Sequence, residues 1–300
     1  MKKCLTGAVD IGGTKVQIGI VDADGNVLAD ECFPTASVEH EPDCAVEKII
    51  KILEKHCEKL HIGLKDLRGI GISCAGPVDC GEGTIENPYT LAGWMGYPIV
   101  RKMEEKTCLP VRMENDANGA LLGEVQRRQL QDRKVLMITF GTGIGAAFWN
   151  AGTLHRSGKY HPEMGHVIVS STGEQCYCGH RGCFESRCSG KAMNERAQKD
   201  GYQDFEELYG SAEKGEERAV RLIDEMRQDL KNGVWTLNLI FKPEYIILAG
   251  GFARRHFAFV RDAILEDSVD KEDFLSCFEV LPAYENINSA LAGANMLFDE

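Results

Sequence analysis

The sequence predicts a two-domain α/β protein built on a duplicated unit. Three observations carry this. A strand closing on a glycine-rich hairpin appears near the start and again roughly 130 residues later. Amphipathic helices follow short apolar strands in both halves. With 300 residues, the chain is longer than one average domain.

The elements follow in order. Leu5 to Ile11 is an apolar run ended by Asp10-Ile11-Gly12-Gly13-Thr14, and Val16 to Asp22 alternates before Asp24-Gly25-Asn26, a strand, turn, strand pattern. From Asp43 to Leu60, Val46, Ile49, Ile50, Leu53, Cys57 and Leu60 recur at three- and four-residue steps opposite charged residues, which predicts an amphipathic helix. Leu67 to Ser73 reads as a buried strand, followed by a Gly/Pro loop at Gly76 to Asp79 and an irregular stretch to about Gly96. Val111 to Met113 reads as a strand delivering Glu114-Asn115-Asp116, with a helix from Ala117 to Gln131. Strand Val135 to Phe140, the turn Gly141 to Gly145 and strand Ala146 to Trp149 then repeat the opening. A long helix from Arg218 to Phe241 leads to strand Tyr245 to Leu248, a turn at Gly250-Gly251 and a further helix.

Composition bounds the function. Hydrophobic residues at 43% and charged residues at 27% describe an ordinary globular chain with no apolar run long enough to span a membrane. The net charge of −12 repels polyanions, so nucleic acid is not an expected partner. The 12 cysteines are too sparse for a disulfide scaffold, and an acid with glycines follows the first lysines where a signal peptide needs an apolar core. Cytoplasmic location is the expectation.

Four groups of residues carry chemistry. Asp10, Gly12, Gly13, Thr14 and Lys15 end a strand; backbone N–H groups and Thr14 suit a phosphate while Asp10 suits a hydrated Mg²⁺, and a plain hairpin turn is the alternative. The turn at Thr142 and Gly143 has the same two readings, and facing hairpins in duplicated halves would serve a polyphosphate together. Cys176, Cys178 and Cys183 with His166 have the make-up of a closed tetrahedral Cys3His zinc site; the alternatives are three reduced loop cysteines without metal, and His180 as the imidazole ligand. The other nine cysteines, Cys4, Cys32, Cys44, Cys57, Cys74, Cys80, Cys108, Cys188 and Cys277, read as small apolar fillers.

Asp116 offers a base for a substrate hydroxyl or an N-cap for the helix after it, and the two roles are compatible. Glu163 and Glu185 flank the cysteine loop. If a metal takes one nitrogen of His166, the other is oriented toward a ligand hydroxyl, so that two carboxylates and an imidazole make a wall suited to a polyol. Solvated loop carboxylates are the alternative.

Together these residues resemble the ROK family of sugar kinases and repressors, within the actin, sugar kinase and Hsp70 superfamily. The resemblance rests on Asp10 to Lys15 (DIGGTK), Gly76 to Asp79 (GPVD), Glu114 to Asn118 (ENDAN), Gly141 to Gly145 (GTGIG), Glu163 to His166, Cys176 to Glu185, Ser189-Gly190 and Ala249 to Gly251. It implies an actin-like ATPase fold, a duplicated ribonuclease H-like unit with a central cleft, with residues 1–116 plus 288–300 as the smaller lobe and 117–287 as the larger. It implies an ATP- and Mg²⁺-dependent hexose kinase carrying a structural zinc, glucose being the first candidate, and N-acetylmannosamine, N-acetylglucosamine, allose or fructose the alternatives. Asp116 would be the general base, and Asn115, Glu163, His166 and Glu185, with Gly76 and Asn87 nearby, would bind the sugar. Asp10, Gly12, Gly13, Thr14, Lys15, Thr142 and Gly143 would serve phosphates and Mg²⁺, and Gly250-Gly251 the adenosine. A homodimer is the family expectation. The repressors of the family carry a helix-turn-helix segment for which no room precedes Asp10, and the retained acid argues against a non-catalytic sensor.

Overall fold

The computed structural model describes residues 5–158, 161–265, 278–285 and 288–299. Cys4 and Cys277, read above as fillers, lie outside the described residues, as do Met1 to Lys3 where the lack of a signal peptide was read. The chain divides into two compact units: residues 1–133, 148–162 and 284–300 form the first, and residues 134–147 and 163–283 the second.

The first unit is built on a five-stranded sheet in the order β3-β2-β1-β4-β7. Its strands are β1 (Thr6–Ile11), β2 (Lys15–Val21), β3 (Val27–Pro34), β4 (Ile70–Cys74) and β7 (Val111–Asn115). A separate two-residue pair, β5 (Val78–Asp79) and β6 (Thr84–Ile85), gives order to the stretch read above as irregular. β1 to β3 are antiparallel, whereas β1, β4 and β7 run parallel, so their C-terminal ends, with Asp10, Cys74 and Asn115, lie at one edge of the sheet. β1 and β4, in the interior of the sheet, are buried almost throughout, as strands covered on both faces must be, whereas the edge strand β7 exposes Arg112. Helix α1 (Pro42–Lys59) buries Val46, Ile49, Ile52, Leu53 and Cys57 in that core; α2 (Ile99–Thr107) precedes β7.

Helix α3 (Asp116–Arg127) follows β7 without a loop and belongs to this first unit, not to the second lobe in which the sequence reading placed it. The reason lies in its glycines. A Cβ on Gly119 would stand 1.8 Å from Ser73 Oγ of β4, and one on Gly123 would stand 2.0 Å from the Ser289 carbonyl oxygen of the helix Ser289–Ala292. α3 therefore seats its backbone against both neighbours. The boundary moves to 133/134, and residues 148–162 return to the first unit.

The second unit holds a four-stranded sheet in the order β11-β10-β8-β9: β8 (Lys134–Phe140), β9 (Ile144–Asn150), β10 (Tyr245–Ala249) and β11 (Glu279–Pro282), with β8, β10 and β11 parallel. A hairpin beside a set of parallel strands repeats the plan of the first sheet. The helices are α4 (Phe184–Cys188), α5 (Gly190–Lys199), α6 (Phe205–Glu213), α7 (Glu217–Phe241), α8 (Gly250–Arg255) and α9 (Phe257–Leu265). Gly250 and Gly251, expected in a turn, are the first two residues of α8; Gly250 has φ 88°, and a Cβ there would lie 2.4 Å from the Phe140 carbonyl oxygen.

Of the cysteines read as fillers, Cys57, Cys74 and Cys188 are buried, but Cys32, Cys44 and Cys108 are exposed. Cys32 sits on the half-exposed strand β3 and Cys108 ends α2 in a left-handed conformation, so neither faces the core. No helix among the described residues is long and apolar enough to cross a membrane.

Two outcomes follow. Gly123→Ala should lose about 1–3 kcal/mol despite the better helix former, because a backbone carbonyl stands where the methyl would go, and a lowered Tm checks it. His56, buried in α1 with neither ring nitrogen hydrogen-bonded, has its pKa lowered from 6.5, chiefly by burial. The unfolded chain therefore takes up that proton at higher pH than the folded one, and stability falls as pH drops below 6.5. In His56→Phe that part of the slope should vanish from denaturation curves collected between neutral and mildly acid pH.

Candidate functional site

In the first unit the β1–β2 hairpin closes with Gly12 N–H donating to the Lys15 carbonyl at 3.0 Å, and the Thr35 hydroxyl donates to the Gly12 carbonyl at 2.7 Å. Gly13 and Thr14 are exposed at the tip, and Lys15 reaches Gln17 Oε1 at 2.8 Å. A Cβ on Gly13 would lie 2.7 Å from Thr90 Cβ, so the loop containing Asn87 packs onto this turn only because the residue is glycine. Asp10 accepts from Asn288 Nδ2 at 2.8 Å; burial pushes its carboxyl above the usual range, with the Asn288 hydrogen bond and Lys15 opposing. A cation beside it would offset that desolvation, so the residue fits a metal-facing role.

At the head of α3 the N-cap is Asn115, where the sequence reading offered Asp116. Asn115 Oδ1 accepts from Ala117 N–H at 2.9 Å and is the N-cap, while Asp116 is the first helical residue, exposed, with Oδ1 also 2.9 Å from Ala117 N. Gly76 makes room for Asn115, whose Nδ2 would lie 2.6 Å from a Cβ at that position.

Asn87, expected near the sugar, is hydrogen-bonded to its own loop and to the Ala75-Gly76 backbone. Its Nδ2 donates toward the carbonyls of Ala75 (3.1 Å) and Gly76 (2.7 Å) and to Thr90 Oγ1 (2.9 Å), and its Oδ1 accepts from Tyr89 and Thr90 N–H, both at 2.9 Å. At 1% exposure it ties its loop to the Ala75-Gly76 backbone.

Glu114 carries what the sequence reading missed. Buried to 2% exposure, it accepts from Asn115 N–H and Asn118 Nδ2, each at 2.9 Å, and from Arg156 Nε at 2.7 Å, with Cys80 Sγ at 3.5 Å. Burial pushes the Cys80 thiol up to about 12, and the Glu114 charge adds to it. The segment bearing Asp116 is thus anchored two residues upstream by a paired carboxylate. Glu114 lies within the quoted ENDAN motif, but its partner Arg156 is 42 residues away and no spacing rule links them.

In the second unit the turn Gly141 to Gly143 closes through Gly141 N–H to the Gly143 carbonyl at 3.0 Å. Glu185 Oε2 accepts from Ile144 N–H at 2.8 Å, and a Cβ on Gly143 would lie 2.3 Å from that oxygen. Thr142 at the tip lines two hollows. One, of about 710 Å³, is bounded by Gly141, Gly190, Lys191, Gly251 and Arg255; the other, of about 380 Å³, by Gly143, Cys176, Tyr177, Glu185 and Ser186. The structure thereby brings Thr142 and Gly251 to one hollow and Thr142, Gly143 and Glu185 to the other.

His166, Cys176, Cys178 and Cys183 place one ligand atom each within 4.8 Å of one another. His166 Nδ1 lies 3.5 Å from Cys176 Sγ, and Cys178 and Cys183 sulfurs are 3.5 Å apart. Tetrahedral bonds of about 2.0–2.3 Å separate donors by about 3.3–3.8 Å, so the cluster fits one such ion. A hydrogen bond from the His180 backbone leads the effects that draw the Cys178 thiol down to about 6. The His180 ring is exposed, with Nδ1 3.9 Å from Cys178 Sγ, outside the cluster. Behind the loop, Arg187 bridges Glu174 (2.9 Å) and Asp229 (2.7 Å), and Arg196 meets Asp229 at 3.0 Å. Against its own burial, hydrogen bonds from Arg187 and Lys199 hold Glu174 down to about 2.

The second nitrogen of His166 differs from expectation. Nε2 lies 3.1 Å from the Tyr177 hydroxyl, so a side chain of the same loop meets it. Glu163, at the other side of the loop, is exposed.

A glucokinase from Halalkalibacterium halodurans is 28% identical over 265 residues, covering 82% of this chain and 80% of that protein. An N-acetylmannosamine kinase from Escherichia coli is 26% identical and covers 97% of both chains. Among solved structures, the ROK hexokinase from Thermus thermophilus superimposes with a TM-score of 0.81 at 26% identity, over 98% of this chain and 97% of that one. The fold is the actin-like ATPase fold of these kinases. The model of the ROK family matches residues 6–300, and the chain belongs to the ROK family.

Proposed function

We propose that this protein is an ATP-dependent sugar kinase that transfers the γ-phosphoryl group to a hexose hydroxyl, with glucose as the first substrate. The observation that carries this reading is the state of Asp116. It is an exposed carboxylate in the first turn of α3, where Asn115 is the N-cap, and its segment is anchored by the paired Glu114 two residues upstream. One of its oxygens accepts from Ala117 N–H. An exposed carboxylate held at a strand-to-helix junction suits a base for a substrate hydroxyl.

In the proposed reaction Asp116 takes the proton of the sugar hydroxyl as its oxygen forms the bond to the γ-phosphorus, and the bond to the bridging oxygen breaks to release ADP. Glu185, His166 and Glu163 hold the other sugar hydroxyls, with Asn115 and the Gly76 backbone. The exposed tips at Gly12 to Lys15 and at Thr142-Gly143 offer N–H groups and hydroxyls to the phosphates, and Gly250-Gly251 lies beside the adenosine. Mg²⁺ at Asp10 supplies charge neutralisation to the phosphates. Zinc in the Cys3His cluster is structural, and its ligands orient His166.

A second reading, a kinase for N-acetylmannosamine, is supported by the Escherichia coli enzyme of that name, which matches 97% of both chains.

An ADP-release assay across glucose, mannose, fructose, allose, N-acetylglucosamine and N-acetylmannosamine tests the reading; turnover with none of them rejects it. Asp116→Asn should lower kcat by about 10²–10⁴ while calorimetry gives a sugar Kd close to that of the unaltered protein, and an unchanged kcat would remove the base assignment. Elemental analysis should find close to one zinc per chain. Cys178→Ala should lose it and melt earlier, and a fully active metal-free preparation would contradict the structural role.

A further inference from the structure

Tyr177 sits between two of the cluster cysteines, and the sugar-binding reading gives it no task. The residue is 76% exposed. Oη lies 3.1 Å from His166 Nε2, and the two rings meet edge to face at 5.0 Å and 83°. Glu185 lines the same hollow as Tyr177.

His166 Nδ1 faces the cysteine cluster, 3.5 Å from Cys176 Sγ, and Nε2 is the nitrogen that faces Tyr177 Oη. The phenolic oxygen thus takes the position at Nε2 that an alcohol group of a bound sugar would take there, since a hydroxyl can donate to or accept from an imidazole nitrogen. A residue with three-quarters of its surface in water gains little apolar burial from staying in place, so the hydroxyl contact is its main tether.

We propose that Tyr177 occupies the subsite of a sugar hydroxyl at His166 and Glu185 in the sugar-free protein and is displaced by that hydroxyl on binding. The inference rests on the sugar-kinase reading and deepens it. Because the incoming alcohol replaces contacts already made, Tyr177 lowers the apparent affinity for the right sugar. A ligand lacking a hydroxyl at that position leaves the phenol seated and gains nothing there, so Tyr177 also sharpens discrimination.

The test is Tyr177→Phe, loaded with zinc and checked for an unchanged zinc content, titrated calorimetrically with the hexose that the assay identifies. Removing the competing hydroxyl while keeping the ring should tighten sugar binding about 2–10-fold, the worth of one exchanged hydrogen bond. Weaker binding by the variant would mean that Tyr177 contacts the bound sugar, and an equal Kd would mean that it stands aside; either result overturns the inference while leaving the kinase assignment intact. A wild-type protein that binds no hexose overturns both.

Discussion

A carboxylate withdrawn from water has to be paired, and in the first unit Glu114 makes that requirement the anchor of the site. Its two oxygens collect a backbone N–H, an amide and a guanidinium from β7, α3 and the segment carrying Arg156. Losing any partner would leave charge buried without compensation, which proteins tolerate poorly. The strand-to-helix junction is rigid for that reason, and Asn115 and Asp116 inherit its geometry. Glu124, fully buried on the same helix, repeats the device with Arg128, Ser289 and the Tyr284 N–H.

Close approach of backbones is the second constraint, and it explains the glycines better than flexibility does. Gly119 and Gly123 let α3 seat on its neighbours, Gly13 admits the Thr90 loop, and Gly143 admits the Glu185 carboxylate. In each case a methyl group would meet an atom at less than 3 Å. The glycine-rich turns in both units are shaped by what leans on them.

The cysteine loop combines the two themes. Arg187, Arg196, Glu174 and Asp229 form a partly buried ion network under it, and the four donor atoms above lie within 4.8 Å of one another. Charge pairing on Asp229 ties α4 and α5 to α7 beneath the loop. The outward nitrogen of His166 meets the Tyr177 hydroxyl.

Much of this was legible in order along the chain. Strand, turn and helix signals located β1, β2, α1, β7, β8, β9, α7 and β10 to within a few residues, because hydrophobic period and glycine punctuation are local properties. The cysteine spacing with His166 named a cluster that the fold does assemble. The sequence could not show that Asn115 rather than Asp116 caps α3, since both residue types cap well and only backbone geometry chooses. Nor could it show that Asn87 is hydrogen-bonded to its loop and to the Ala75-Gly76 backbone, that Arg156 pairs with Glu114, that Asn288 meets Asp10, or that Tyr177 answers His166. Local pattern determined the elements and the family-bearing motifs of this protein. The partners of its polar side chains were decided by the tertiary structure alone, because a buried hydrogen bond depends on which distant segments are brought within 3 Å, and no periodicity along the chain encodes that.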